Sequence, residues 1–198
     1  MALFDLQDRV AIVTGGNGGI GLAMGQGMAQ AGAAVVVAAR DPVKGEAAVT
    51  ALESLGVRST FIALDVRYEA SCVNLIETVV ADFGRVDVLV NNAGTNDRKQ
   101  PEEYALAEWQ AIIDTNLTSA FMLSQRVYPV MKNAGGGKII NIGSMMSIFG
   151  ASFTVPYASS KGGIVQMTKG MACAWAKDNI QVNAVLPGWI DTTLTREA

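Results

Sequence analysis

The chain contains no histidine. Without an imidazole, Ser-His-Asp hydrolysis, Cys-His nucleophiles and His-ligated zinc are all excluded. Any general acid or base must come from Tyr, Lys, Asp, Glu or Cys. Cysteine is scarce too: Cys72 and Cys173 are the only two, and their spacing suits neither a metal nor a redox pair. Each reads as a small core residue of a protein in a reducing, cytoplasmic compartment. Lysine and arginine number 15 against 18 acids, a formal net charge of −3, and they are scattered. That pattern points away from nucleic acid and from anionic membrane surfaces as partners. No apolar run reaches the ~20 residues of a membrane span. The N-terminal segment has neither a basic n-region nor a long apolar stretch, so no signal peptide is expected.

What is present is a chain of 198 residues, half of them apolar, with 21 glycines. That length and composition suit one domain with a sizeable core. Short apolar runs at 10–13, 34–39, 59–64, 86–90, 138–142 and 181–186 alternate with helical stretches at 19–31, 43–55, 69–83, 106–131 and 157–177. The runs are apolar throughout rather than at every second position, as strands buried on both faces of a parallel sheet are. The alternation predicts an α/β fold: a doubly wound parallel sheet of Rossmann type in three α/β/α layers. Asp41-Pro42 reads as a helix cap followed by proline at the first helical position. Met167, Met171 and Trp175 recur at helical spacing and read as core.

The first strand runs into Thr14-Gly15-Gly16-Asn17-Gly18-Gly19-Ile20-Gly21 and then into a helix. Glycines there let the chain turn tightly and let backbone N–H groups approach a pyrophosphate at the positive helix end. In this context the loop predicts a dinucleotide site lined by Gly15, Asn17, Gly19, Ile20 and Gly21. The second strand ends in Ala39-Arg40 where an acid would accept the ribose 2′-hydroxyl of NAD. An arginine suits a 2′-phosphate, so NADP(H) is favoured and NAD(H) remains open. Asp41 is assigned to capping rather than to the ribose. Asp65, beside Val66 at the end of the third strand, is placed to accept from the adenine amine. The fourth strand ends in Asn91-Asn92-Ala93-Gly94, small residues and amides that admit a ligand closely at the switch point.

Tyr157 and Lys161 lie four apart and share a helix face, so the ammonium can approach the phenol. A phenol with a pKa near ~10 is a poor proton carrier at neutral pH. A neighbouring cation favours the phenolate and would bring its pKa towards the working range.

Thr14 to Gly21, Asn91 to Gly94, Asn116, Ser144, Tyr157-x-x-x-Lys161 and Pro187-Gly188 together resemble the short-chain dehydrogenase/reductase family, in its order and spacing. The resemblance implies Tyr157 as general acid/base and Ser144 as the hydroxyl that orients the substrate carbonyl. It implies that Lys161 contacts the nicotinamide ribose and lowers the Tyr157 pKa, and that Asn116 holds a water of a proton relay. It assigns Asn92, Ala93 and Gly94 to the cofactor cleft, and Pro187, Gly188, Ile190 and Thr192 to the nicotinamide carboxamide. It implies no metal, a hydride exchange with a secondary alcohol or ketone, and a homotetramer with the helices at 106–131 and 157–177 at one interface. It also implies about 50 further residues forming a lid and a seventh strand.

Within the family, residues 95–101, 143–147 and 179–183 look most like the gluconate 5-dehydrogenases and 2-deoxygluconate 3-dehydrogenases. Arg98 or Lys99 at the pocket mouth would pair with a substrate carboxylate. The alternatives are a 3-oxoacyl thioester reductase, which Phe149, Phe153 and Trp189 would suit, and a catalytically silent dinucleotide sensor.

Overall fold

The computed structural model describes residues 4–192. Six strands form one parallel sheet: β1 (Val10–Thr14), β2 (Ala34–Ala39), β3 (Ser59–Ala63), β4 (Val88–Asn91), β5 (Gly137–Ile142) and β6 (Ile180–Val185). Their spatial order is β3-β2-β1-β4-β5-β6, so the chain reverses its direction of travel across the sheet between β1 and β4. At that point Val13 lies beside Val37 on one side and Val90 on the other.

The side-chain alternation of β1 divides the core. Ala11 and Val13 face helices α1 (Gly19–Gln30) and α2 (Pro42–Glu53), where Ala29, Val49 and Leu52 pack. Val10 and Ile12 face the opposite layer, α3 (Glu69–Phe83), α5 (Ser119–Asn133) and α6 (Val155–Trp175), through Leu75, Leu123 and Met171. Leu52, Leu75, Leu89 and Leu123 are fully buried. Each such side chain contributes about 1.5–3 kcal/mol by leaving water. The doubly wound sheet expected from the apolar runs is thus present, with β4 beginning two residues later than 86.

Two expectations are corrected. The stretch 106–131 is not one regular helix: α4 (Leu106–Ile113) is joined to α5 by a π-helical turn, Asp114–Thr118. Hydroxyls of Thr115 and Ser119 donate to the carbonyls of Ala111 and Thr115 at 2.7 and 2.6 Å. Such back-bonding bends a helix, and a π turn is a common mark of a functional site. Cys173 is exposed on α6 rather than in the core, whereas Cys72 is buried. Burial pushes the Cys72 thiol up to about 11, as suits an inert core residue.

Among the described residues no helix is long and apolar enough to cross a membrane. The C-terminal segment where a lid was expected to begin lies outside the described residues.

Candidate active site

The carboxyl ends of β1 and β4 are stitched together by Thr14. Its hydroxyl donates to the Val90 carbonyl at 3.3 Å and accepts from the N–H groups of Asn92 and Ala93, each at 3.0 Å. The Asn92 amide donates to the Thr14 and Gly15 carbonyls at 2.9 and 3.3 Å. Gly15 takes φ +63°, a left-handed conformation that favours glycine. A Cβ on Gly21 would lie 2.4 Å from the Gly15 carbonyl oxygen and 2.5 Å from Asn92 Nδ2. The first turn of α1 therefore approaches the loop to a distance that no side chain permits.

Above this junction opens a cleft of about 810 Å³. The glycine loop supplies Gly15, Asn17, Gly19 and Ile20 to its lining, and the segment after β4 supplies Asn92, Ala93 and Gly94. Arg40, Asp65 and Val66 line it too, as does Thr192 beside Gly19. These residues, distant in sequence, meet as the sequence reading expected, with Gly21 packed beneath. Lys44, Arg67 and Thr115 also line the cleft. They escaped the sequence reading because single residues from three separate elements, the first turn of α2, the loop after β3 and the π turn, form no pattern. A cleft lined by glycines at a helix N-terminus, at the switch point of a doubly wound sheet, fits a dinucleotide.

Two acids near its adenosine end are already engaged. Asp41 accepts from the Lys44 N–H at 3.1 Å and caps α2, as expected. Asp65, expected to meet an adenine amine, lines the cleft and accepts from the Arg67 side chain at 2.6 and 3.0 Å and from its backbone N–H at 3.1 Å. The Arg67 guanidinium holds the Asp65 carboxyl below the usual carboxylate range. The partner lay two residues away, too close for helical spacing to reveal it.

The second cavity, of about 90 Å³, adjoins the carboxyl end of β5. Ser144 and Tyr157 share its lining with Pro187 and Gly188, whereas Ile190 lines neither space. The segment after β5 is zipped to the one after β6: Gly143 N–H donates to the Val185 carbonyl and Met145 N–H to the Pro187 carbonyl, at 2.8 and 3.0 Å. Ser144 and Pro187 are thereby held side by side. The Ser144 hydroxyl lies near enough to the Tyr157 phenol to lower its pKa.

Lys161 lies on the same face of α6 as Tyr157 and is held by a strand carbonyl. It is 4% exposed, and its ammonium donates to the Ile142 carbonyl at 2.7 Å. Its Nζ stands 5.5 Å from the centre of the Tyr157 ring. Burial lowers the Lys161 pKa to about 8. Burial likewise holds the Tyr157 phenol above its ordinary value, with the Ser144 hydroxyl pulling the other way. In this arrangement the ammonium faces a strand carbonyl.

Asn116, on the π turn, is 2% exposed. Its side-chain oxygen accepts from Thr95 N–H at 2.8 Å, and its amide donates to the Thr95 carbonyl at 2.9 Å and to Ser160 Oγ at 3.1 Å. A Cβ on Gly94 would lie 3.4 Å from Asn116 Oδ1 and 3.7 Å from Lys161 Nζ. Asn116 thus straps the loop after β4 to α6.

At the mouth of the smaller cavity, Lys99 is tied to Glu108 and, at 3.4 Å, to Asp97. Arg98 lines the cavity with its guanidinium over the rings of Phe153 and Trp189, at 5.2 and 5.6 Å. Among the described residues no carboxylate pairs with it.

Residues 9–198 match the short chain dehydrogenase family, and the chain belongs to it. It is an NAD(P)-dependent oxidoreductase acting on CH–OH groups. It is 38% identical over 199 residues to the 2-dehydro-3-deoxy-D-gluconate 5-dehydrogenase of Escherichia coli K12, covering all of this chain and 78% of that one. A structure from Beutenbergia cavernae, named for an NAD(P)-dependent gluconate 5-dehydrogenase and holding NADP at low occupancy, superposes with a TM-score of 0.93 at 35% identity, covering 99% of this chain and 78% of that chain. A xylitol dehydrogenase structure with NAD+ bound superposes with a TM-score of 0.91 at 31% identity, covering 94% and 72% respectively.

Proposed function

We infer that the protein interconverts a secondary alcohol and a ketone on a sugar acid of gluconate type, using NADP(H) in preference to NAD(H). The observation that carries the substrate reading is the meeting of Tyr157, Ser144 and Arg98 in one small cavity. Arg98 is the cation there that no carboxylate of the described residues neutralises, and its planar fork suits a substrate carboxylate. The gluconate-type names of the similar proteins support the same class.

When bound, the nicotinamide supplies or receives the hydride. The residues of the chain do the rest. Gly15, Asn17, Gly19 and Ile20 would hold the pyrophosphate, and Asn92, Ala93 and Gly94 keep the inner wall low. Arg40 would meet a 2′-phosphate, since Asp41 and Asp65 are engaged elsewhere. Ser144 orients the reacting oxygen, and Tyr157 takes its proton in oxidation or returns it in reduction. Tyr157 occupies the first turn of α6, where the positive end of the helix favours the phenolate. Lys161, beside Gly94, would reach the nicotinamide ribose. The same reading expects a cytoplasmic homotetramer, whose mass light scattering would measure.

The apolar lining contributed by Met145, Met146 and Phe153 supports a 3-oxoacyl thioester as the second reading. A panel of gluconate, a neutral sugar alcohol and a 3-oxoacyl thioester, each with both cofactors and followed by nicotinamide absorbance, separates the readings. Turnover of gluconate with NADP+ is expected. In Arg98→Ala, turnover of the sugar acid should fall about tenfold or more while the neutral alcohol is little changed. An equal effect on both would remove the carboxylate role.

A further inference from the structure

Thr154 opens α6, a position where a hydroxyl ordinarily accepts from a backbone N–H two or three residues on. Pro156 occupies the nearer of those positions and has no N–H, and the Thr154 side chain makes no capping bond. It is nonetheless only 3% exposed, and its hydroxyl donates to Asn96 Oδ1 at 2.9 Å. One residue back, the Phe153 carbonyl accepts from the Lys99 N–H at 3.1 Å. These two bonds bracket Arg98 and tie the wall that carries it to the first turn of α6. Tyr157 sits in that same turn. Phe153, which shares the Arg98 guanidinium with Trp189, lines the pocket together with Asn96 and Thr154.

We propose that Thr154 and Asn96 form a positioning tether that fixes the separation between the Arg98 guanidinium and the Tyr157 phenol, and so selects acids by the distance from carboxylate to reacting hydroxyl. The tether acts through Arg98 and Tyr157 and rests on the roles given to them under Proposed function. A threonine hydroxyl that leaves its own helix uncapped to bond a loop 58 residues away holds that loop at one height above the phenol. An acid one carbon shorter or longer would then meet the guanidinium or the phenol, but not both.

The test measures KM and kcat for a series of aldonic acids differing in carbon number, on the full chain and on Thr154→Val, Thr154→Ser and Asn96→Ala. Losing one buried hydrogen bond should raise KM for the preferred acid about five- to tenfold and flatten the preference across chain length. Cofactor affinity and the pH profile of kcat should stay as they were, and Thr154→Ser should restore both KM and preference. Asn96→Ala removes the same bond from the other side and decides the matter if Thr154→Val does not fold. An unchanged chain-length preference in either folded variant overturns the tether. So does a Thr154→Ser variant that fails to recover. Arg98→Ala, run alongside, separates the two levels: if it leaves the preference for acids intact, the carboxylate reading fails. If it abolishes that preference while Thr154→Val changes nothing, the tether alone is refuted.

Discussion

The glycine-lined cleft and the smaller cavity around Tyr157 are built by different means. The cleft is made largely of backbone: a left-handed Gly15, a Gly21 with no room for a Cβ, and strand ends sewn together by Thr14. The cavity is made of side chains held by long-range hydrogen bonds, with Ser144, Arg98 and the Thr154–Tyr157 turn of α6 drawn from separate segments. The cleft should therefore fail abruptly when altered, because backbone cannot yield. The cavity should fail gradually, because each side chain contributes one separable interaction.

The largest effect expected from this contrast is that of Gly21→Ala. A methyl group 2.4 Å from a backbone carbonyl oxygen forces the loop apart and should abolish dinucleotide binding measured by calorimetry. Normal affinity in that variant would end the distinction between the two regions. Arg40→Ala should weaken NADP(H) binding about tenfold, the loss of a charge-assisted phosphate contact, and leave NAD(H) binding little changed. Equal weakening of both cofactors would remove the 2′-phosphate role.

The smallest expected effect is a matter of pH. Burial lowers the Lys161 pKa from its ordinary 10.5 to about 8. Between those values the unfolded chain holds a proton that the folded chain has released, so this residue makes stability rise with pH across the window. Lys161→Met should lose that part of the rise when denaturation midpoints are compared from pH 8 upwards. A variant whose midpoints climb in parallel with the parent contradicts the buried, carbonyl-bound lysine.

The contrast also explains what could be read from the sequence. Backbone devices leave their trace in residue type: the glycines at 15, 19 and 21 and the apolar runs of β1 to β6 announced both the cleft and the sheet. Tyr157 and Lys161 were visible because helical spacing places them on one face. Their actual partners were not, since the Ile142 carbonyl that receives Lys161 is 19 residues away and carries no side-chain signal. The link from Asn116 to Thr95 spans 21 residues and depends on a π turn that hydrophobic periodicity does not register. Asp65 was read without Arg67 because nothing in a strand-end loop marks a pair two residues apart.

The central claim is that Tyr157 carries the proton in a chain whose histidine-free sequence leaves few other candidates. Tyr157→Phe removes one hydroxyl and keeps the ring. Measured together, turnover of the preferred acid should fall at least about a hundredfold, while the dissociation constant for NADP(H) stays within about twofold of the parent. Near-normal turnover in a variant that still binds the cofactor would contradict the account.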